Sequence, residues 1–124
     1  MISDEELVRR ATEVINPRKI SPSVEVGGVG SALVTDKGNV YVGVCIDTGS
    51  SLGFCAEHNA VGNMITHGEN KIVSIVAVDW DKKIIAPCGR CRELIYQVDV
   101  ANTETRVLLN NGRAVRLKEL LPER

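Results

Sequence analysis

After the polar start Ser3-Asp4-Glu5-Glu6, apolar residues fall at Leu7, Ala11, Val14 and Ile15, a helical spacing, and Ser3 with Glu6 three positions on offers a capping box. The pattern predicts a first helix to about Ile15, stopped by Asn16-Pro17. Between Pro17 and Gly28, two prolines and two glycines interrupt any period, so a framing loop is expected there. Residues 29–35 and 39–46 are rich in β-branched side chains and are joined by Asp36-Lys37-Gly38, which predicts two antiparallel strands in a hairpin. Gly43, inside the second, suits either a close backbone approach or a plain bulge. Residues 47–53 read as a loop that delivers Cys55 to a helix running to about His67 and ended by Gly68. The nearly continuous apolar run 72–78 is typical of a strand covered on both faces. A connection over 79–87 and a helix from Cys88 to about Val98 complete an α-β-α unit. Strands at 105–109 and 113–117, turned by Asn110-Asn111-Gly112, close the sheet, and 118–121 forms a short last helix. The expected architecture is α/β: a three-layer α-β-α sandwich around a mixed five-stranded sheet.

At 124 residues the chain reads as a single domain, 1–124, large enough to bury a core. Its net charge of −1 provides neither a broad basic field for nucleic acid nor a polybasic segment for a membrane. No apolar run approaches the ~20 residues of a membrane span, and the acidic start lacks a signal-peptide core. A soluble cytoplasmic protein with reduced thiols and a small neutral substrate is expected. Aromatics are only 3%, which argues against a polynucleotide substrate and leaves the expected pocket without one. Trp80 reads as packing or a subunit contact.

The candidate chemistry lies in Leu52-Gly53-Phe54-Cys55-Ala56-Glu57-His58 and Ala86-Pro87-Cys88-Gly89-Arg90-Cys91-Arg92. A Cys-x-x-Cys pair alone is ambiguous between zinc, redox chemistry and chance. Pro87 before the pair, Cys55-x-Glu57 upstream and a helical pattern after each segment sharpen it. Three thiolate ligands, Cys55, Cys88 and Cys91, leave one tetrahedral zinc position open, and an open position distinguishes a working zinc from a structural one. Each thiol sits near a helix N-terminus, where unpaired N–H groups and the macrodipole favour anions. Three thiolates leave the ion with net negative charge, which Arg90, Arg92 and His58 are placed to offset. Glu57 is the candidate base beside the metal. The rival is a structural zinc completed by Cys45 in a scaffold that binds a ligand or partner; a buried, apolar-like thiol is the commoner role for such a cysteine. His58 lies either beside the metal ligands or on an exposed helix face, Asp47 either contacts substrate or forms a turn, and His67 is a helix-end residue.

These residues resemble the cytidine deaminase superfamily of zinc hydrolases, whose signature is His or Cys, x, Glu, then Pro-Cys-x-x-Cys. The resemblance extends from Val29-Gly30-Ser31-Ala32-Leu33, similar to the family's first strand, to Glu119-Leu120-Leu121-Pro122, similar to its ending, and spans roughly 24–122. It implies a Zn²⁺-dependent aminohydrolase in which Glu57 shuttles the proton. It also implies main-chain contacts from the Ala56 N–H to a ring carbonyl and from the Ala86 carbonyl to the exocyclic amine. His58 stands where relatives usually carry arginine. The family's Asn-x-Glu ribose motif falls on Cys45-Ile46-Asp47, its stacking aromatic falls near Gly27, and no aromatic follows Leu121-Pro122. The chemistry is therefore expected to persist with altered substrate selection. Blasticidin S deaminases share Pro-Cys-Gly-Arg-Cys-Arg, and by that likeness Arg90 would meet a substrate carboxylate. Relatives of this length imply a homo-oligomer, a tetramer.

Overall fold

The structure is a computed structural model that describes residues 1–123; Arg124, at the end of the expected domain, lies outside them. Helix α1 (Asp4–Glu13) begins where the Ser3 hydroxyl accepts the Glu6 N–H at 3.1 Å, and three acids in its first turn complement the dipole. The other half of the capping box is not made, because Arg9 takes the Glu6 carboxylate. Leu7 and Ala11 form the buried face of α1.

Two strands stand where a loop was expected. β1 (Arg18–Ser21) pairs antiparallel with the start of β2 (Val24–Thr35). Its residues are almost all exposed, so it carries no alternation, and Pro17 and Pro22 flank it without removing a ladder donor from inside it. Gly27 adds an irregularity: its φ is +83°, and a Cβ there would lie 2.2 Å from the Asn16 carbonyl oxygen. The β2 register shifts between Val26 and Gly30. β3 (Val40–Thr48) completes the hairpin, with Gly38 at φ +82° in the turn.

Helix α2 (Ala56–Thr66) follows a short 3₁₀ turn (Gly49–Ser51), then β4 (Ile72–Asp79), β5 (Ile84–Ile85) and helix α3 (Gly89–Val98). A second 3₁₀ turn (Val100–Glu104), β6 (Arg106–Leu108), β7 (Ala114–Arg116) and a third 3₁₀ turn (Leu117–Leu120) end the described chain. Among the described residues the sheet has seven strands rather than five. Its principal ribbon is the expected five, in the order β3-β2-β4-β6-β7, with β1 and β5 as short additions to β2 and β4. β4 and β6 run parallel and the other pairs antiparallel, so the sheet is mixed. Successive residues of the central strands point to opposite faces. Ala32, Val34, Val76 and Val78 pack with Leu7 and Ala11 under α1, and Leu33, Ile75 and Val107 pack with Val61, Met64 and Ile95 under α2 and α3. The three-layer sandwich follows from that alternation.

Candidate active site and metal centre

Cys55 and Cys88 are the residues immediately before α2 and α3, both with extended φ/ψ, and Cys91 lies in the first turn of α3. The loop before α2 is anchored so that Cys55 arrives there. Ile46 and Phe54 exchange two main-chain hydrogen bonds of 3.0 Å, and a Cβ on Gly53 would fall 1.9 Å from the Ile46 carbonyl oxygen. Only glycine fits that approach. At α3, the Arg92 Nε donates to the Pro87 carbonyl at 2.8 Å and holds the segment before Cys88.

The three sulfur atoms lie within 4.8 Å of one another. Cys55 Sγ is 3.5 Å from Cys88 Sγ, which is 3.6 Å from Cys91 Sγ. Three thiolates at the ordinary Zn–S distance of about 2.3 Å in a tetrahedron stand about 3.8 Å apart. The donor set therefore fits zinc with little movement. Burial raises the Cys55 thiol pKa; burial and then the Glu57 charge push Cys91 up. Burial also opposes ionisation of Cys88, but the main-chain N–H groups of Cys91 and Arg90 and the neighbouring thiols outweigh it, so its pKa falls. A divalent cation relieves this crowding of thiols, since it favours all three thiolates together.

Glu57, in the first turn of α2, is 5% exposed. Burial raises its carboxyl pKa above the usual range, against the pull of its own N–H and the Cys91 thiol. It shares a cavity of about 310 Å³ with Cys55, Cys88, Cys45, Asp47, Ala56 and Ala86, further lined by Gly28, Val29, Trp80 and Ile85. Six sequence-predicted site residues thus meet around Glu57. Cys91 is fully buried beside them, as a ligand behind the cavity wall must be.

Cys45 is not among the clustered sulfurs. Its Sγ accepts the Val29 N–H at 3.3 Å and faces Asp47 Oδ2 at 3.7 Å, which does not favour the four-cysteine rival. His58 Nδ1 is 3.3 Å from Cys91 Sγ, and burial, then the Arg90 charge, lowers its pKa, so the neutral ring is favoured. Arg90 stands outside the main cavity, in an adjoining cleft of about 350 Å³ shared with Asp47, Phe54 and Cys55, and reaches the Gly53 carbonyl at 3.4 Å. Arg92 turns to the Pro87 and Leu120 carbonyls, so its donors serve the main chain. Trp80 corrects the expectation of a pocket without an aromatic. Its place on the wall depends on the β4–β5 turn, and no spacing in the chain signals it.

A sheet clad by helices, with three thiols and a buried acid gathered at two helix N-termini, defines a zinc-dependent hydrolase of the α/β kind. The chain belongs to the cytidine and deoxycytidylate deaminase family: residues 1–105 match the model of that family's zinc-binding region. It is 33% identical to a blasticidin-S deaminase of Bacillus cereus, across 96% of this chain and 89% of that one. It is 32% identical to a cytidine deaminase of Halalkalibacterium halodurans, across 76% and 74% of the two chains. The crystal structure of the cytidine deaminase from Mycobacterium tuberculosis superposes with a TM-score of 0.82 at 26% identity, covering 99% of this chain and 97% of that one. Zinc is the metal of this family, and the cluster of Cys55, Cys88 and Cys91 is built to take it.

Proposed function

We propose that the protein deaminates a cytosine-type nucleoside or analogue, such as cytidine, deoxycytidine or a blasticidin S-like compound, by adding water and releasing ammonia. Cys55, Cys88 and Cys91 hold the zinc, and Glu57 is the catalytic acid and base. The observation that carries this reading is the buried Glu57 carboxyl on the wall of the same cavity as Cys55 and Cys88. Zinc, when bound, acidifies water at its open position toward a pKa of about 7. Glu57 would take one proton from the attacking water and pass it to the ring nitrogen, then take the second from the added hydroxyl and pass it to the amine, so that the C–N bond breaks as the carbonyl forms and ammonia leaves. Its pKa, raised by burial, supports the role, since a carboxyl above its ordinary range is a stronger base that can still return the proton. The Ala56 N–H orients the ring carbonyl and the Ala86 carbonyl accepts from the amine, both from main chain on the cavity wall.

Cys45 and Asp47 line the part of the cavity beyond the base, and Arg90 offers a cation in the adjoining cleft for an anionic tail. With its proton on Nδ1, neutral His58 would donate to a Cys91 thiolate 3.3 Å away and steady that ligand without adding charge. Arg92 acts one step further out, by fixing Pro87. The active form is a cytoplasmic homotetramer of this single domain; exposed Leu52 (80%) and Ile65 (49%) support an assembly, and a monomer in sedimentation would count against it. Among the described residues, no helix is long and apolar enough to cross a membrane.

The test is Glu57→Ala with ammonia release followed over a panel of cytosine-bearing compounds. Zinc content should match wild type while turnover falls by about 10²–10⁴-fold, the usual contribution of a positioned acid and base. Retained turnover would refute the role of Glu57. A wild-type protein inactive on every member of the panel would refute the substrate class.

A further inference from the structure

Trp80 sits on the turn after β4 with 64% of its surface exposed. The turn itself is tightly held: Asp79 Oδ1 accepts the N–H groups of Asp81 and Lys83 at 2.9 and 3.0 Å, and the Asp79 carbonyl accepts that of Lys82 at 2.8 Å. A large apolar side chain on a rigid turn, left open to solvent, is not explained by packing within the subunit. Its indole lies over the bare backbone of Gly28; a Cβ there would be 3.6 Å from Trp80 Cε3 and 4.0 Å from Cys45 Sγ. The glycine thus leaves the indole against the same wall as Cys45. Among the described residues lining the cavity that holds Glu57, Trp80 is the one aromatic.

We infer that Trp80 is a substrate-binding residue of this site, its indole face stacking on the pyrimidine ring while Glu57 works at the amine-bearing edge. The inference rests on the deaminase reading above and adds the group that grips the ring. Stacking of a base on an aromatic side chain is sequence-tolerant and uses only the π-face, so it suits a cavity whose other base contacts are main chain. It acts in the ground state and the transition state alike. Its loss therefore appears in KM and leaves kcat in place.

The experiment uses the zinc-loaded full chain. Trp80→Ala should raise KM for the best compound of the panel by about 10- to 100-fold, the span of one base stack, with kcat within about threefold. Trp80→Phe, which keeps a ring face, should recover most of the loss. Because the chain has one tryptophan, its emission reports Trp80 alone. In the Glu57→Gln protein, cytidine or blasticidin S, whichever the wild type turns over, should quench that emission saturably. An unchanged KM in Trp80→Ala, failure of Trp80→Phe to recover, a change in sedimentation that tracks the KM change, or emission indifferent to a compound the wild type consumes would each overturn the stacking role while leaving the deaminase intact. A wild-type protein that consumes no member of the panel would overturn both.

Discussion

The Cys45 thiol accepts the Val29 N–H and faces the Asp47 carboxylate, so its hydrogen-bonding capacity is spent on its own wall of the cavity. Cys91, fully buried with Cys88 Sγ at 3.6 Å and His58 Nδ1 at 3.3 Å, lies instead among the clustered sulfurs. Metal analysis after dialysis should therefore separate the two: Cys45→Ala keeps about one zinc per chain, whereas Cys91→Ala loses nearly all of it, since three thiolates become two. Loss of zinc from Cys45→Ala would restore the structural-zinc rival. At this scale the chain was readable where chemistry is written in residue type, as in Cys55-x-Glu57 and Pro87-Cys88-x-x-Cys91. It was not readable at Gly27, where the absence of an aromatic has a backbone cause. A φ of +83° and the Asn16 carbonyl 2.2 Å from a Cβ position bar any side chain there.

At the scale of elements, the site depends on how α2 lies on β3. Gly43 makes that contact: a Cβ there would be 2.4 Å from the Ala60 nitrogen, so helix and strand backbones meet directly. Asn59 and Asn63 add bonds of 3.1 and 3.3 Å from α2 to the Val44 and Val42 carbonyls. Gly43→Ala should cost about 1–3 kcal/mol in denaturant unfolding through overpacking. It should also weaken zinc retention, because displacing α2 displaces Cys55. Gly62→Ala, in the same helix but with nothing within 4 Å of its Cβ, should instead stabilise by up to about 1 kcal/mol. The hairpin, both site helices and the buried strand were legible because each carries a strong period or turn signal. β1 was hidden because an exposed edge strand has no core-facing side chains to repeat.

Across the whole molecule, zinc ties the starts of α2 and α3, so chelation should lower the melting temperature as well as abolish activity. At a metal concentration 1,000-fold above its dissociation constant, the lost stabilisation is about 4 kcal/mol. A second long-range tie joins α1 to β6, where Arg106 meets both Asp4 oxygens at 2.9 Å. The Arg106 hydrogen bond holds the Asp4 carboxyl below its ordinary pKa. A depressed carboxyl contributes stability above its unfolded pKa of about 3.9 and loses it as pH falls through the lower folded value. Asp4→Asn should thus cost about 0.2–1 kcal/mol at pH 7, limited by solvent screening, and the difference should close in urea titrations as pH falls below about 4.

The amino-acid sequence by itself determined the layers, the metal-binding thiols and the acid beside them. Periodicity sets which face of each element is buried, and coordination chemistry accepts few residue types. Only the tertiary structure decided that Cys45 lies apart from the three clustered sulfurs, that Arg92 serves the main chain, and that Trp80 lines the cavity. Those outcomes depend on where separate turns and strands come to rest against one another, and that placement is a property of packing which no local run of residues records.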